Sequence, residues 1–155
     1  MMSVPKRYAK NMKTIDRLLS LDPMEDHKGE PHDEIHNLVM ALYKELKTEN
    51  IADYLYDYAP KDYPVENLIC ILDCAAWCGS ENGTSDQRAI QKWLDSDDNR
   101  KITIALYNEV LPFIKEEDMY NKFTELVKRQ PQFLDRCNEM IQYRSKGKSQ
   151  LLTIH

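Results

Sequence analysis

Glycine is scarce in this sequence. Only four of its 155 residues are glycine: Gly29, Gly79, Gly83 and Gly147. Tight hairpins and phosphate-cradling loops depend on glycine for positive φ angles or close backbone approach. The four glycines fit neither GxGxxG nor a P-loop, and no GxSxG motif is present. The scarcity therefore favours helices and argues against nucleotide-binding and serine-hydrolase sites.

Long apolar runs are also missing. No stretch approaches the ~18 apolar residues of a membrane span, and no apolar segment follows the positively charged N-terminus. We therefore expect neither a signal peptide nor a membrane segment, and no membrane among the partners. A cytoplasmic location follows as an expectation, and there the four cysteines would be thiols.

The composition is that of a folded protein. Hydrophobic residues make up 42% and charged residues 30% of the chain. A domain of this length buries roughly 70% of its unfolded surface, which is enough for a core without disulfides or metals. We expect a single all-helical domain over residues 1–143 and a basic, flexible C-terminal tail over 144–155.

Charge is unevenly distributed along the chain. Residues 1–21 carry five basic residues and one acid, whereas residues 22–66 carry four lysines and twelve acids. A basic end is thus followed by a strongly acidic middle. Such separation indicates the charge of partners and says little about the fold.

Helical spacing of apolar residues predicts an all-α protein of about eight helices. Proline and capping residues mark several of the starts, notably Pro31, Pro64, Asp98 and Pro131. The segment 102–107, ITIALY, could form a strand, but its flanks favour a helix. The predicted helices cover 5–21, 31–46, 50–58, 64–78, 84–94, 98–110, 116–127 and 131–141.

Alternate helices begin at nearly constant intervals. Their predicted starts at 31, 64, 98 and 131 lie 33 or 34 residues apart, and ALYKEL at 41–46 is echoed by ALYNEV at 105–110. This spacing favours stacked helical hairpins, as in a HEAT- or TPR-like α-solenoid. An irregular helical bundle is the alternative, since no known repeat signature is matched.

Three of the four cysteines fall within nine residues. Cys70, Cys74 and Cys78 lie along one side of the predicted helix 64–78, and the first and third are about 12 Å apart along its axis. One tetrahedral metal cannot hold all three, although two neighbouring thiols could share a metal whose other ligands come from elsewhere. Cys78 also sits near a helix C-terminus, where the dipole disfavours a thiolate. We interpret the three as small hydrophobic residues inside a buried helix.

A histidine pair offers an alternative metal site. His32 and His36 are one helical turn apart and could chelate a metal together with nearby acids such as Asp33. The spacing differs from that of metalloproteases, because Glu34 is two places after the first histidine. A solvated helix start rich in acids is the competing interpretation.

Tyrosines alternate with acids between residues 53 and 66. Helical spacing sends Tyr54 and Tyr58 to one side and Tyr56 to another, so they cannot all be core. Tyrosine and aspartate together resemble an interaction surface for a basic protein. Alternatively, the tyrosines pack against neighbouring helices and keep their hydroxyls in water. The candidate partner-binding residues are Asp53, Tyr54, Tyr56, Asp57, Tyr58, Asp62, Tyr63 and Glu66.

We therefore expect a non-catalytic binding protein without cofactor or metal. The leading hypothesis is an inhibitor or immunity protein that occludes a basic partner such as a nuclease toxin. In composition the chain resembles bacterial immunity proteins that are acidic, helical and rich in tyrosine, but no motif places it among them. The alternatives are a scaffold, a helical metal-dependent hydrolase using His32 and His36, and nucleic-acid binding through the basic ends.

Overall fold

The computed structural model describes residues 13–23, 33–48, 50–78, 84–108, 115–146 and 150–153. Within these ranges the chain contains eight α-helices and no strand, which confirms the all-α prediction. The segment 102–107 is helical. The helices are α1 (Thr14–Ser20), α2 (Asp33–Leu46), α3 (Ala52–Tyr58), α4 (Val65–Cys78), α5 (Thr84–Trp93), α6 (Asn99–Tyr107), α7 (Glu116–Arg129) and α8 (Leu134–Ser145), with a 3₁₀ turn at Pro131–Phe133 leading into α8.

Helix ends follow the local sequence signals. Asp98 caps α6, because its carboxylate accepts hydrogen bonds from the backbone N–H groups of Arg100 and Lys101. Helix α7 begins with three acids and ends with two basic residues, which complements its dipole. Lys47 and Lys146 have positive φ angles of 52° and 56° and terminate α2 and α8 in the left-handed conformation.

Helix α4 lies at the centre of the packing. It contacts α2, α5 and α6, and its residues Leu68, Ile71, Leu72 and Ala75 are fully buried. The core continues through the apolar sides of α6, α7 and α8, where Phe123 is its largest fully buried side chain.

The alternate helices follow one another in space. Helix α2 packs on α4, α4 on α6 and α6 on α8, while α1 packs on α2, α5 on α6 and α7 on α8. This order is consistent with stacked helices. The regular superhelix of a true solenoid stays a prediction.

The C-terminal residues that the structure describes return to the domain. Helix α8 continues to Ser145, and Leu152 is only 8% exposed. The side chain of Asn138 accepts a hydrogen bond of 2.7 Å from the Leu152 N–H and donates one of 3.0 Å to the Leu152 carbonyl. Residues 150–153 thus form a docked segment where we expected part of a free tail. Residues 147–149, 154 and 155 lie outside the described residues.

Among the helices that the structure describes, none combines the length and apolarity needed to cross a bilayer.

Candidate functional site

Helix α3 presents one side to the core and another to solvent. Ala52 and Leu55 point inward, while Tyr54, Asp57 and Tyr58 share the outer side at spacings of three and four residues. We call these three outer residues the α3 face. Part of the segment predicted to bind a partner therefore lies exposed on a short helix.

The two tyrosines of the α3 face pack against each other. The ring centroids of Tyr54 and Tyr58 are 5.9 Å apart with 22° between the planes, and each residue is 38% exposed. The Tyr58 hydroxyl donates a hydrogen bond of 2.6 Å to Asp16 of α1, which raises the pKa of Tyr58, with a smaller contribution from burial. The rings are thus held in place on the surface, tied to a second helix.

The acids near the α3 face differ in what they contact. Asp53 accepts a hydrogen bond of 2.8 Å from the indole N–H of Trp93, so it helps to anchor α3 on α5. Asp57, Asp62 and Glu66 are exposed and make no hydrogen bond or ion pair with the residues that the structure describes. These three carboxylates remain able to pair with a partner.

Tyr56 is a structural residue on the other side of α3. Its ring packs on Trp93 with centroids 5.4 Å apart, and its hydroxyl donates to Asp98. Arg100 and Lys101 lie over the ring at 5.7 and 5.0 Å. Burial and the hydrogen bond to Asp98 raise the pKa of Tyr56 to about 12. Tyr56 thus joins α3 to α6 and is covered by cations.

Tyr63 lies in the core. It is only 2% exposed, so it does not lie on a binding surface, contrary to the prediction. Its backbone carbonyl accepts a hydrogen bond from the Arg100 guanidinium, which also reaches the Pro60 carbonyl at 3.4 Å. Tyr56 and Tyr63 thus pack against neighbouring helices as the alternative predicted, but their hydroxyls are not in water, since one donates to Asp98 and the other is buried.

A buried carboxylate that the sequence did not reveal organises this region. Asp86 of α5 is 1% exposed and accepts hydrogen bonds from the backbone N–H groups of Ile51, at 2.7 Å, and Ala52, at 3.1 Å. Its other oxygen accepts from the hydroxyl of Tyr43 of α2. Burial raises the pKa of Asp86 although these hydrogen bonds act in the opposite direction. Asp86 thereby caps α3 and ties it to α2 and α5.

A second cluster joins α2 and α4. The imidazole Nδ1 of His36 lies 3.0 Å from the Sγ of Cys78, and the ligand atoms of His36, Cys74 and Cys78 all lie within 4.8 Å of one another. His36 is exposed and both thiols are half-buried. His32, its predicted partner, lies outside the described residues. The structure thus places His36 beside two cysteines.

The cysteines of α4 are less buried than the sequence suggested. Cys70, Cys74 and Cys78 are all intermediate in exposure, although Cys74 and Cys78 pack against the core, and of the four cysteines only Cys137 is fully buried. The hydrogen bond to Cys74, together with burial, raises the pKa of the Cys78 thiol. Cys78 is also the last residue of α4, where the helix dipole opposes a thiolate. Apart from the nearby His36 imidazole, Cys78 therefore lacks the surroundings that activate a cysteine nucleophile.

A groove runs between α7 and the docked C-terminal segment. Its volume is about 570 Å³, and its lining includes Tyr120, Val127, Leu151 and Leu152. It lies apart from the α3 face and from the His36 cluster, and it coincides with no site predicted from the sequence.

Comparisons with known proteins give no match. No protein-family model, no curated protein and no solved structure is similar to this chain. The case for a function therefore rests on the chain's own residues.

Proposed function

We propose that this chain is a protein-binding module that occludes a basic partner, in the manner of an inhibitor or immunity protein, through the α3 face. The observation that carries the proposal is the stacked Tyr54–Tyr58 pair, which lies exposed and fixed on the surface. A partner such as a nuclease toxin would be held by these rings and by the acids beside them.

The geometry of the pair suits a binding hot spot. Tyrosine supplies a large contact area with few rotatable bonds, so a partner that covers it loses little conformational entropy. Here the stacking and the Tyr58–Asp16 hydrogen bond already restrict the rings before binding. Restriction in the free state lowers the entropy cost of association.

The charges favour a basic partner. Asp57 lies beside the two tyrosines on the α3 face, and Asp62 and Glu66 follow it along the chain. None of these three acids has an ion-pair partner among the described residues. Opposite charges accelerate encounter and select the partner, and they contribute less to the final affinity.

Cations limit the surface on one side. A cavity of about 400 Å³ beside α3 is lined by Asp57 and Asp98 together with Lys61 and Arg100. Lys61 and Arg100 repel a basic partner there, whereas Asp57 attracts it. Positive and negative charges side by side would fix the orientation in which a partner docks.

Co-purification with matched tyrosine variants tests the proposal. The tagged chain is expressed in the organism that makes it, as wild type, as Tyr54→Ala with Tyr58→Ala, and as Tyr143→Ala. Tyr143 is a suitable control because it is 86% exposed on a different helix. We expect a stoichiometric basic protein with the wild type and with Tyr143→Ala. Recovery with the double variant should fall about tenfold or more.

Two results would contradict the proposal. One is the absence of any stoichiometric protein from the wild-type eluate. The other is equal recovery of the same protein with all three chains, which would place the interaction elsewhere on the molecule.

Variants that remove exposed acids distinguish electrostatic steering of the encounter from direct contact in the complex. Asp57→Asn with Asp62→Asn should slow association with the recovered partner and weaken its dependence on salt. Glu116→Gln with Glu117→Gln removes the same number of exposed carboxylates from α7 and serves as the control. If both pairs slow association equally, the acids act through net charge and not through the α3 face.

A further inference from the structure

Three side chains that commonly bind metals converge between α2 and α4. His36 comes from α2, and Cys74 and Cys78 come from successive turns of α4. Their ligand atoms lie within 4.8 Å of one another, with the closest pair 3.0 Å apart. Helix packing thus brings together groups that are up to 42 residues apart in sequence.

The set fits the coordination chemistry of zinc. Zinc binds thiolate sulfur and imidazole nitrogen in a tetrahedron, and its bond lengths separate neighbouring ligand atoms by about 3.5–3.8 Å. The three atoms already lie near that spacing, so rotation of the side chains brings them to it. Two sulfurs and one nitrogen fill three positions and leave the fourth for water or an external ligand.

The surroundings favour a cation. The buried Asp86 carboxylate acts electrostatically on Cys78, although more weakly than Cys74 and burial do. In its ionised form this carboxylate favours a bound Zn²⁺. Because His36 is exposed, the ion can reach the ligands directly from solvent.

A thiol nucleophile activated by His36 explains the cluster less well. The Cys78 Sγ donates a hydrogen bond of 3.2 Å to the Cys74 carbonyl, and Cys78 lies at the C-terminal end of α4. Catalytic cysteines are commonly found where a helix N-terminus or a cation stabilises the thiolate. That reading would also leave Cys74 without a role, whereas a metal uses both sulfurs.

We propose that His36, Cys74 and Cys78 bind one Zn²⁺ and thereby link α2 to α4. Binding replaces the proton on each of the two thiols, so two protons are released for each ion bound, and the two thiolates balance the charge of the metal. The zinc site is separate from the α3 face, so an experiment can refute either proposal without affecting the other.

Metal titration of the full chain tests the site. The protein is stripped with a chelator under reducing conditions and titrated with Co²⁺, whose thiolate charge-transfer absorption reports sulfur ligation. Zn²⁺ affinity is then measured by competition with a chromophoric chelator. We expect one equivalent of Zn²⁺ to displace the Co²⁺.

Single variants assign the ligands. Zinc affinity should fall at least about 100-fold in Cys74→Ser, Cys78→Ser and His36→Gln. The loss of a residue that only hydrogen-bonds to a metal ligand already lowers metal affinity by up to that factor. Cys70→Ser is the matched control, because Cys70 lies one turn earlier on the same helix and outside the cluster. Equal loss in Cys70→Ser, or unchanged affinity in the three ligand variants, overturns the assignment.

Alkylation of the wild-type protein provides a second test that needs no variant. The rate of alkylation at each cysteine is measured by mass spectrometry with and without Zn²⁺. Zinc should protect Cys74 and Cys78 at least about tenfold and leave the rate at Cys70 unchanged. Equal rates at Cys74 and Cys78 with and without zinc would refute the site.

Discussion

The Asp86 carboxylate accepts a hydrogen bond of 2.7 Å from the backbone N–H of Ile51, 35 residues earlier in the chain. Ile51 is the N-cap of α3 and has no side chain able to cap it, so a residue of α5 does so instead. The same carboxylate accepts from Tyr43 of α2. A single buried acid therefore ties the start of the helix that carries the α3 face to both α2 and α5.

Removal of the Asp86 carboxylate should destabilise the whole domain. In Asp86→Ala the buried N–H of Ile51 loses its acceptor, whereas the Ala52 N–H keeps the Asn50 side chain and the Tyr43 hydroxyl keeps the Ala75 carbonyl. We expect the free energy of unfolding to fall by about 2 kcal/mol. Urea denaturation followed by circular dichroism measures the change. Asp62→Ala removes an exposed acid and should cost no more than about 0.5 kcal/mol. Equal stability of the two variants would show that Asp86 does not hold α3.

Two tyrosine-to-phenylalanine substitutions should have different effects. The Tyr43 hydroxyl bonds to Asp86, so Tyr43→Phe should lower the free energy of unfolding by about 1–2 kcal/mol. The Tyr63 hydroxyl is buried and, although the Asn67 side chain interacts with it, makes no well-formed hydrogen bond with the described residues. Tyr63→Phe should therefore leave stability unchanged or raise it. A larger loss in Tyr63→Phe than in Tyr43→Phe, measured by the same urea titration, would contradict these assignments.

The Asp98 cap should make stability depend on pH in the acid range. Burial alone would raise the pKa of Asp98, but the hydrogen bonds from Tyr56, Arg100 and Lys101 outweigh it and lower the pKa below the ordinary 3.8. A lowered pKa means that the stabilisation is complete above 3.8 and is lost as pH falls through the folded-state pKa. Asp98→Ala should cost about 1 kcal/mol near neutral pH and less in strong acid.

The pKa of Asp98 can be measured directly by following its carboxyl carbon by NMR during an acid titration. A value at or above 3.8 would contradict the capping arrangement. So would an effect of Asp98→Ala on stability that does not change with pH.

Adjacent leucines test the docking of the C-terminal segment. Leu152→Ala should lower the free energy of unfolding by about 2 kcal/mol, because Leu152 packs in the core. Leu151 is 43% exposed, so Leu151→Ala should change stability by no more than about 0.5 kcal/mol. Thermal unfolding monitored by circular dichroism compares the two. If the two variants unfold at the same temperature, residues 150–153 do not contribute to the fold.

The helices were predictable because their signals are local. Apolar spacing, proline starts and the Asp98 cap each act within one or two turns, and the structure confirms an all-helical chain in the described ranges. The docking of Leu152 on Asn138 was not predictable. It depends on a side chain 14 residues away, in a stretch whose composition indicates a solvated tail.

The candidate sites were only partly predictable for the same reason. Helical spacing correctly separated Tyr54 and Tyr58 from Tyr56, but which side of a short helix faces the core depends on its neighbours. The sequence also singled out His36 and the α4 cysteines one by one. The packing of α2 on α4 brings these residues together, and no local sequence pattern predicts that packing.

Site-specific photo-crosslinking in living cells tests the central claim about the α3 face most directly. A photoreactive phenylalanine analogue replaces Tyr54 in one chain and Tyr143 in another, and the crosslinked proteins are identified by mass spectrometry. We expect one dominant basic protein to be captured from position 54 and not from position 143. Capture of no protein from position 54, or of the same proteins from both positions, would contradict a binding role for the α3 face.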